Sequence, residues 1–481
     1  MLELSPCPRW CAGIGIALLA LGPSPAQPAA VRDLSILEDE APSAVRDVPE
    51  VVVEGGLAAP ELAPIGAPDW LVFPGRVRRL TGPDAGSGAD LEGDELAWAL
   101  RHAAPGEVIG LQGDHSESAP IIGGGKPGAA RAVVWAERGP VRDVTVTGLD
   151  PDFGTTLGGV SFRDDGGGWD GLRFHNLTFV NAKGARSPVM VDQRCRGGSI
   201  WLTSCRFKRA PKNTTFGGLG AKWWIRAHGG CALYVYDVDV EFAAQEHFLY
   251  IDNAEELVVV NCHNRIAGGK PNFGRTFIQH ATRADSSRPP PAWRGIYLEN
   301  VTARGIDVSA GGGSAITVAG YPGTVHLKDV RGLGHTGGQH ASAGFLAVWA
   351  PEGQNSLFLD DRGFAVQHLI LEDVVGVYPE ASRPAIMISG VGETDVYGGW
   401  LSGQQGIFEY DSRYGGMPSS GDVEFHLDRR LSRYKGYRMI RSWEVDPETG
   451  QGRYRRWGKE ELDAHTRIVD AGGEAVEEDD E

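Results

Sequence analysis

The sequence predicts an all-β chain built as a β-solenoid, one strand–turn–strand unit repeated along its length. Two observations carry this. Strand-like runs ending in a small polar residue recur: LRFHN at Asn176, IWLTS at Ser204, LYVYD at Asp237, VVVN at Asn261, IYLEN at Asn300, VHLKD at Asp329 and LILED at Asp373. A second set of alternating runs precedes them: Val189–Asp192, Trp223–Arg226, Phe248–Asp252, Phe277–His280, Ala315–Val318, Phe345–Trp349 and Ala385–Ser389. The polar residues lie 24 to 44 positions apart. The strand pair is constant while the period varies, so insertions fall in one class of loop, as in a repeat array. No helical periodicity separates the strands. The 68 glycines suit a chain that turns at every corner.

In chain order, residues 1–30 have the layout of an export signal: Arg9, an apolar run over Cys11–Leu21, then small residues in GPSPAQPAA. That run is too short to span a bilayer, and no other segment is a candidate. Residues 31–92 are rich in Pro, Ala and acid and are expected to be mostly linker, with one strand in VPEVVVEGG at 48–56. DELAWALRHAAPGEVIGLQG follows from Asp94. Leu96, Ala97, Leu100 and Ala104 share one helical face, and Pro105-Gly106 stops the helix before a strand at Glu107–Leu111. A helix there would cover the open edge of the first strand.

This helix, the A-x-P-G-E-V-I that follows it, the glycine turn and the repeats after it resemble secreted proteins of the pectate-lyase-like superfamily. The resemblance covers about residues 93–400 and implies a single-stranded right-handed parallel β-helix with an N-terminal capping helix. Residues 401–472 depart from the repeat. SWEVDPETGQGRYRRW is expected to be a hairpin turning at Asp446–Gly450 within a C-terminal cap region, and the acidic tail at 473–481 is expected to be disordered.

The seven recurring polar residues are expected at inward-facing corners, where stacked amides and hydroxyls would satisfy turn backbone. A net charge of -17 disfavours nucleic acid as a partner. Export implies a secreted, periplasmic or cell-surface protein, expected to be a monomer. Cys205 and Cys262 each follow a ladder residue and fall two repeats apart, roughly 9.5 Å at strand spacing. A disulfide needs Cα atoms within about 7 Å, so both are expected to be buried thiols.

Strand alternation gives the candidate site. With Val189, Val191, Trp223, Ile225, Leu249 and Ile251 inward, the outward column contains Met190, Trp224, Tyr250 and Gln279. One step on come Asp192, Arg226 and Asp252. Carboxylates beside aromatic rings suit a sugar-binding face. From Lys183 to Arg226 there are ten Lys/Arg against one acid, Asp192, which points to an anionic polysaccharide unless nearby acids balance it. Three readings stay open. In a β-eliminating lyase, Arg226 and Arg275 would neutralise a uronate carboxylate and His247, Tyr250 or Arg226 would be the base. The resemblance adds Asp-bound calcium with an Arg or Lys base, for which Asp192 and Asp252 are the available carboxylates. In a hydrolase, Asp192 and Asp252 would be acid and base at the wide spacing of an inverting enzyme. The lyase is preferred to the hydrolase, with Trp224, Glu246, Gln279 and Trp349 as substrate contacts; the alternative is a non-catalytic carbohydrate-binding or structural surface protein.

Overall fold

Short β-branched and aromatic runs with alternating polarity form strands, and their corners are set by residues that accept a left-handed backbone. The computed structural model describes residues 53, 55–90, 95–123, 133–134, 141–163, 169–181, 185–192, 195–208, 221–241, 246–264, 276–282, 292–304, 314–333, 345–348, 358–378, 386–397, 399–403, 408–410, 422–428, 440–445, 448–449, 451–456, 458, 460, 464 and 466–469. These residues form an all-β chain with one α-helix and long parallel sheets. No helix among them is long and apolar enough to cross a membrane.

Each repeat contributes strands to three parallel ladders. The first runs through Leu172–His175, Arg196–Thr203, Gly230–Tyr236 and the start of Glu256–Asn264. The second runs through Thr178–Phe179, Arg206–Phe207, Asp239–Val240 and the end of Glu256–Asn264. The third runs through Val189–Val191, Trp223–Ala227, His247–Asp252, Thr276–Ala281, Ile316–Ala319, Leu346–Val348 and Ile386–Ile388. Parallel pairing continues past residue 400 through Phe408–Tyr410 and Asp422–Asp428. Ile440–Val445 and Gly452–Arg456 then form the antiparallel hairpin expected at the C-terminus.

The recurring polar residues mark the corner between the first two ladders. Asn176, Ser204, Asp237, Asn261, Asn300, Asp329 and Asp373 all have φ between 48° and 53°. Short polar side chains tolerate this left-handed conformation better than other non-glycine residues. The sequence expectation placed them facing inward. Instead Asp237 and Asn261 are exposed and the other five half-buried, because the left-handed turn directs the side chain out of the sheet. They still form a ladder: Asn261 Nδ2 donates to Asp237 Oδ1 at 2.9 Å, and Asn300 Nδ2 donates to Asn261 Oδ1 at 2.7 Å. The Asn176 amide donates to the Gly148 and Asp150 carbonyls.

Residues one step after the corner point inward and stack. Leu177, Cys205, Val238, Cys262, Val301 and Val330 are all fully buried. Cys195, Cys205, Cys231 and Cys262 are free thiols. A second interior column is aromatic. Phe179 stacks on Phe207 at 5.1 Å, Phe207 meets Trp224 at 5.8 Å and Phe248 at 5.7 Å, and Phe248 stacks on Phe277 at 5.0 Å. The helix Glu95–His102 buries Leu96, Ala97, Ala99 and Leu100 in the same core, and Glu95 accepts the Gly75 N–H at 2.6 Å.

The segment read as linker carries structure. Trp70–Phe73 pairs antiparallel with Arg76–Arg79 and parallel with Val108–Leu111. Residues 55–68 cross the outer face of the first ladder as a strap. Leu57, Ala59 and Leu62 pack against an outward stripe of Trp201, Tyr234, Tyr236, Val258, Val260 and Tyr297. Tyr236 donates its hydroxyl to the Pro60 carbonyl at 2.9 Å, and Arg173 Nη1 donates to the Ala63 carbonyl at 2.5 Å. Low periodicity hid this segment, because a strap takes its order from the surface it covers. Residues 1–30, most of 48–56 and the tail at 473–481 lie outside the described residues.

Candidate functional site

The outer face of the third ladder is set by register. Met190, Arg226, Tyr250, Gln279 and Thr317 are successive partners, and Val189, Ile225, Leu249, Ile278 and Ile316 form the adjacent inward column. Arg226 therefore stands beside Tyr250, where the sequence reading had placed Trp224. Trp224 is fully buried in the interior aromatic column, so its assignment as a sugar contact is corrected. Two consecutive residues, Trp224 and Ile225, are both fully buried, and Trp223 is the half-buried ring. The pairs Phe248-Leu249 and Phe277-Ile278 show the same doubled apolar pattern. Aligning WWIRA over HFLYI and TFIQH would have revealed the register.

Arg226 and Asp252 share this face but are not exposed. Their side chains are 5% and 4% accessible, and Arg226 Nη2 donates to Asp252 Oδ2 at 2.9 Å. The guanidinium lies over the Tyr250 ring at 3.5 Å and 5.2 Å from the Trp223 ring. His228, two residues after Arg226 and hence on the same face, completes the cluster. Its Nδ1 is 2.8 Å from Asp252 Oδ2, and its Nε2 receives a short contact from Arg226 Nε. One tautomer satisfies both: Nδ1–H donates to Asp252 and Nε2 accepts from Arg226. The sequence reading missed His228, although its i+2 spacing from Arg226 was the available signal.

The rings beside this cluster stack. Tyr250 lies 5.6 Å from Trp223 with planes 12° apart, and 4.7 Å from His247 with planes 8° apart. His247 is buried, with Nδ1 3.2 Å from the Thr276 carbonyl; it is a packed member of the stack and not the edge residue expected. Glu246 accepts from Trp223 Nε1 at 3.0 Å and pairs with Lys222 at 3.2 Å. Trp223, Tyr250, Gln279 and Asp192 are half-buried, and Met190 is 38% exposed. Asp192 lies one residue past the Val191–Ala227 pair, at the level of His228. Arg275, Trp349 and most of the loops at 263–275 and 281–293 lie outside the described residues.

This geometry changes the chemistry available. Cations of the basic stretch meet acids on the following repeat: Arg206 with Asp239 at 3.4 Å, Lys222 with Glu246 at 3.2 Å, Arg226 with Asp252 at 2.9 Å. Three of the ten cations are thus balanced by acids, while Lys183, Arg194, Arg209 and Lys212 lie outside the described residues. Arg226 directs Nε to His228 Nε2, Nη2 to Asp252 and Nη1 to the Tyr250 carbonyl, so its cation is held by the cluster. Asp252 Oδ2 accepts from Arg226 Nη2 and His228 Nδ1, so the cluster occupies that oxygen. Among the described residues no three metal-ligating side chains converge, and Asp252 faces Arg226 where a calcium-holding role would need further oxygen ligands.

Behind the face, His280 occupies the inward column between Ile251 and Val318. It is fully buried, neither nitrogen makes a well-formed hydrogen bond, and its ring meets Tyr321 edge-on at 5.3 Å. Burial pushes its pKa down from 6.5 to about 4, against the pull of the Asp252 charge and the Gly320 backbone.

No family model, no curated protein and no solved structure matches the chain.

Proposed function

We propose that the parallel ladders are the walls of a single-stranded right-handed parallel β-helix of the pectate-lyase-like kind, exported from the cell. In this reading the outer face of the third ladder, around Trp223, Tyr250 and Gln279, binds a polysaccharide without turning it over. The repeated three-ladder register and the helix at the N-terminal end support the fold, and the pattern of residues 1–30 supports export.

The observation that carries the binding reading is the commitment of the face's charged groups to one another. Arg226 and Asp252 form a buried pair that the partly exposed His228 joins, and Lys222 and Glu246 form a second, partly exposed pair. What remains half-exposed is aromatic edge, phenol, amide, the Met190 side chain and the Asp192 carboxylate, which together suit sugar hydroxyls and C–H surfaces. The pairing takes Arg206, Lys222 and Arg226 out of the case for an anionic polymer.

The test is affinity electrophoresis of the full chain through gels containing neutral or uronic-acid polysaccharides, with Tyr250→Ala and Gln279→Ala alongside. Retardation by at least one polymer is expected, with Tyr250→Ala weakening it roughly two- to tenfold, the worth of one aromatic contact. Unsaturated products absorbing in the ultraviolet, or new reducing ends, would replace this reading with the lyase or the hydrolase. Retardation unaltered by both variants would move the site elsewhere.

A further inference from the structure

The strap at 55–68 is fastened at its N-terminal end by a titratable side chain. The Leu57 N–H donates to His326 Nδ1 at 3.1 Å, while His326 Nε2 lies 3.2 Å from Glu372 Oε2. A backbone N–H can only donate. The imidazole must therefore keep Nδ1 unprotonated and carry its single proton on Nε2, toward Glu372. His326 is 2% exposed, so the ring has no water to turn to.

We propose that His326 is a proton-operated latch: its neutral form holds the leading end of the strap over the aromatic stripe, and its doubly protonated form lets that end go. A proton on Nδ1 would confront the Leu57 N–H donor to donor, leaving a backbone group without an acceptor. Three side chains face the ring. Glu372 approaches from the neighbouring strand, and Lys328 Nζ, on the strand of His326 itself, pairs with the other Glu372 oxygen at 3.0 Å. Tyr297 meets the ring from the preceding repeat at 5.2 Å, edge-on, and Ile370 is the register partner on the next. The imidazolium would thus be paired with Glu372 as the latch opens. His368, paired with Asp395 at 2.7 Å, lies beside Gly55 at the same end, while from Pro60 onward the strap is held by contacts that do not titrate near neutrality: Tyr236 to the Pro60 carbonyl, Arg173 to the Ala63 carbonyl, and Leu62 on the stripe. Release is therefore local, baring the stripe near Tyr297 while residues 60–68 stay docked.

Hydrogen exchange of the full chain, corrected for intrinsic rates and read by mass spectrometry on peptides covering 53–59 and 60–68, tests this across the range of about pH 5 to 8 where histidine changes charge. Protection at 55–58 should fall roughly five- to tenfold on acidification, the worth of one hydrogen bond, while 60–68 and the strands around Leu233 and Leu257 keep theirs. His326→Asn offers an oxygen near the place of Nδ1 without a titrating proton, and should make protection at 55–58 independent of pH. His326→Phe should remove it at every pH. Unchanged wild-type protection at 55–58 between the two pH values would overturn the latch, as would an equal loss along the whole strap. The wild-type comparison decides even where a variant fails to fold.

Discussion

Replacing His280 with Leu should stabilise the protein and flatten its response to acid. The ring is fully buried in an aliphatic column between Ile251 and Val318, without a well-formed hydrogen bond. An apolar residue of similar volume removes a desolvated polar group without opening a large cavity, a gain of about 1–3 kcal/mol at neutral pH. The acid response follows from linkage. Burial holds the folded-state pKa at about 4 against 6.5 for the free side chain. Between these values the unfolded chain binds a proton that the folded chain refuses, so stability rises with pH. The full value is present above about pH 6.5 and is lost as pH falls toward about 4, a loss of about 3 kcal/mol from this one group. His115, His175 and His263 are also pushed down chiefly by burial, so the variant should retain part of the slope. Urea denaturation of both proteins at several pH values between about 7.5 and 4.5 measures the difference, provided their m-values agree. A stability difference that does not widen as pH falls would refute the linkage argument. A variant less stable than the parent throughout would show that His280 has a partner worth more than its burial costs.

The ion pair on the outer face should behave as buried charge. Arg226→Ala or Asp252→Ala alone should lose about 3–5 kcal/mol in denaturant titrations, because each strands the other charge, whereas Arg226→Met combined with Asp252→Leu should recover most of it. Equal losses in the single and double variants would mean that the pair is not desolvated. The thiols of Cys205 and Cys262 should resist alkylation until the chain unfolds, since burial pushes the first up to about 12 and the second higher still; peptide mass spectrometry with and without denaturant reads this. Asn261→Val, forced to φ near 53° and stripped of both ladder hydrogen bonds, should cost about 2–4 kcal/mol in thermal or urea unfolding, and Asn261→Gly clearly less.

The sequence by itself determined the strand set, the corner residues and the N-terminal helix. Alternation has a period of two whatever the strand pairs with, and a left-handed corner restricts its occupant to a short polar residue or glycine, so both leave a mark along the chain. That is why LRFHN, LYVYD and IYLEN could be aligned, and why Cys205 and Cys262 could be placed on one interior column as separate thiols. The tertiary structure decided what depends on neighbours distant in sequence. Trp223 and Trp224 look alike on paper; only the packing of Phe207 and its neighbours takes Trp224 into the aromatic column and leaves Trp223 on the outer face. Arg206, Lys222 and Arg226 looked free for an anion because the acids that pair with them, Asp239, Glu246 and Asp252, arrive one repeat later. Arg226 and Asp252 were legible as members of one face, but not as a closed set with His228, since burial is a property of what covers a residue. The strap had no periodicity to read, because its order comes from Trp201, Tyr234, Tyr236 and Tyr297, brought beneath it only when successive repeats stack.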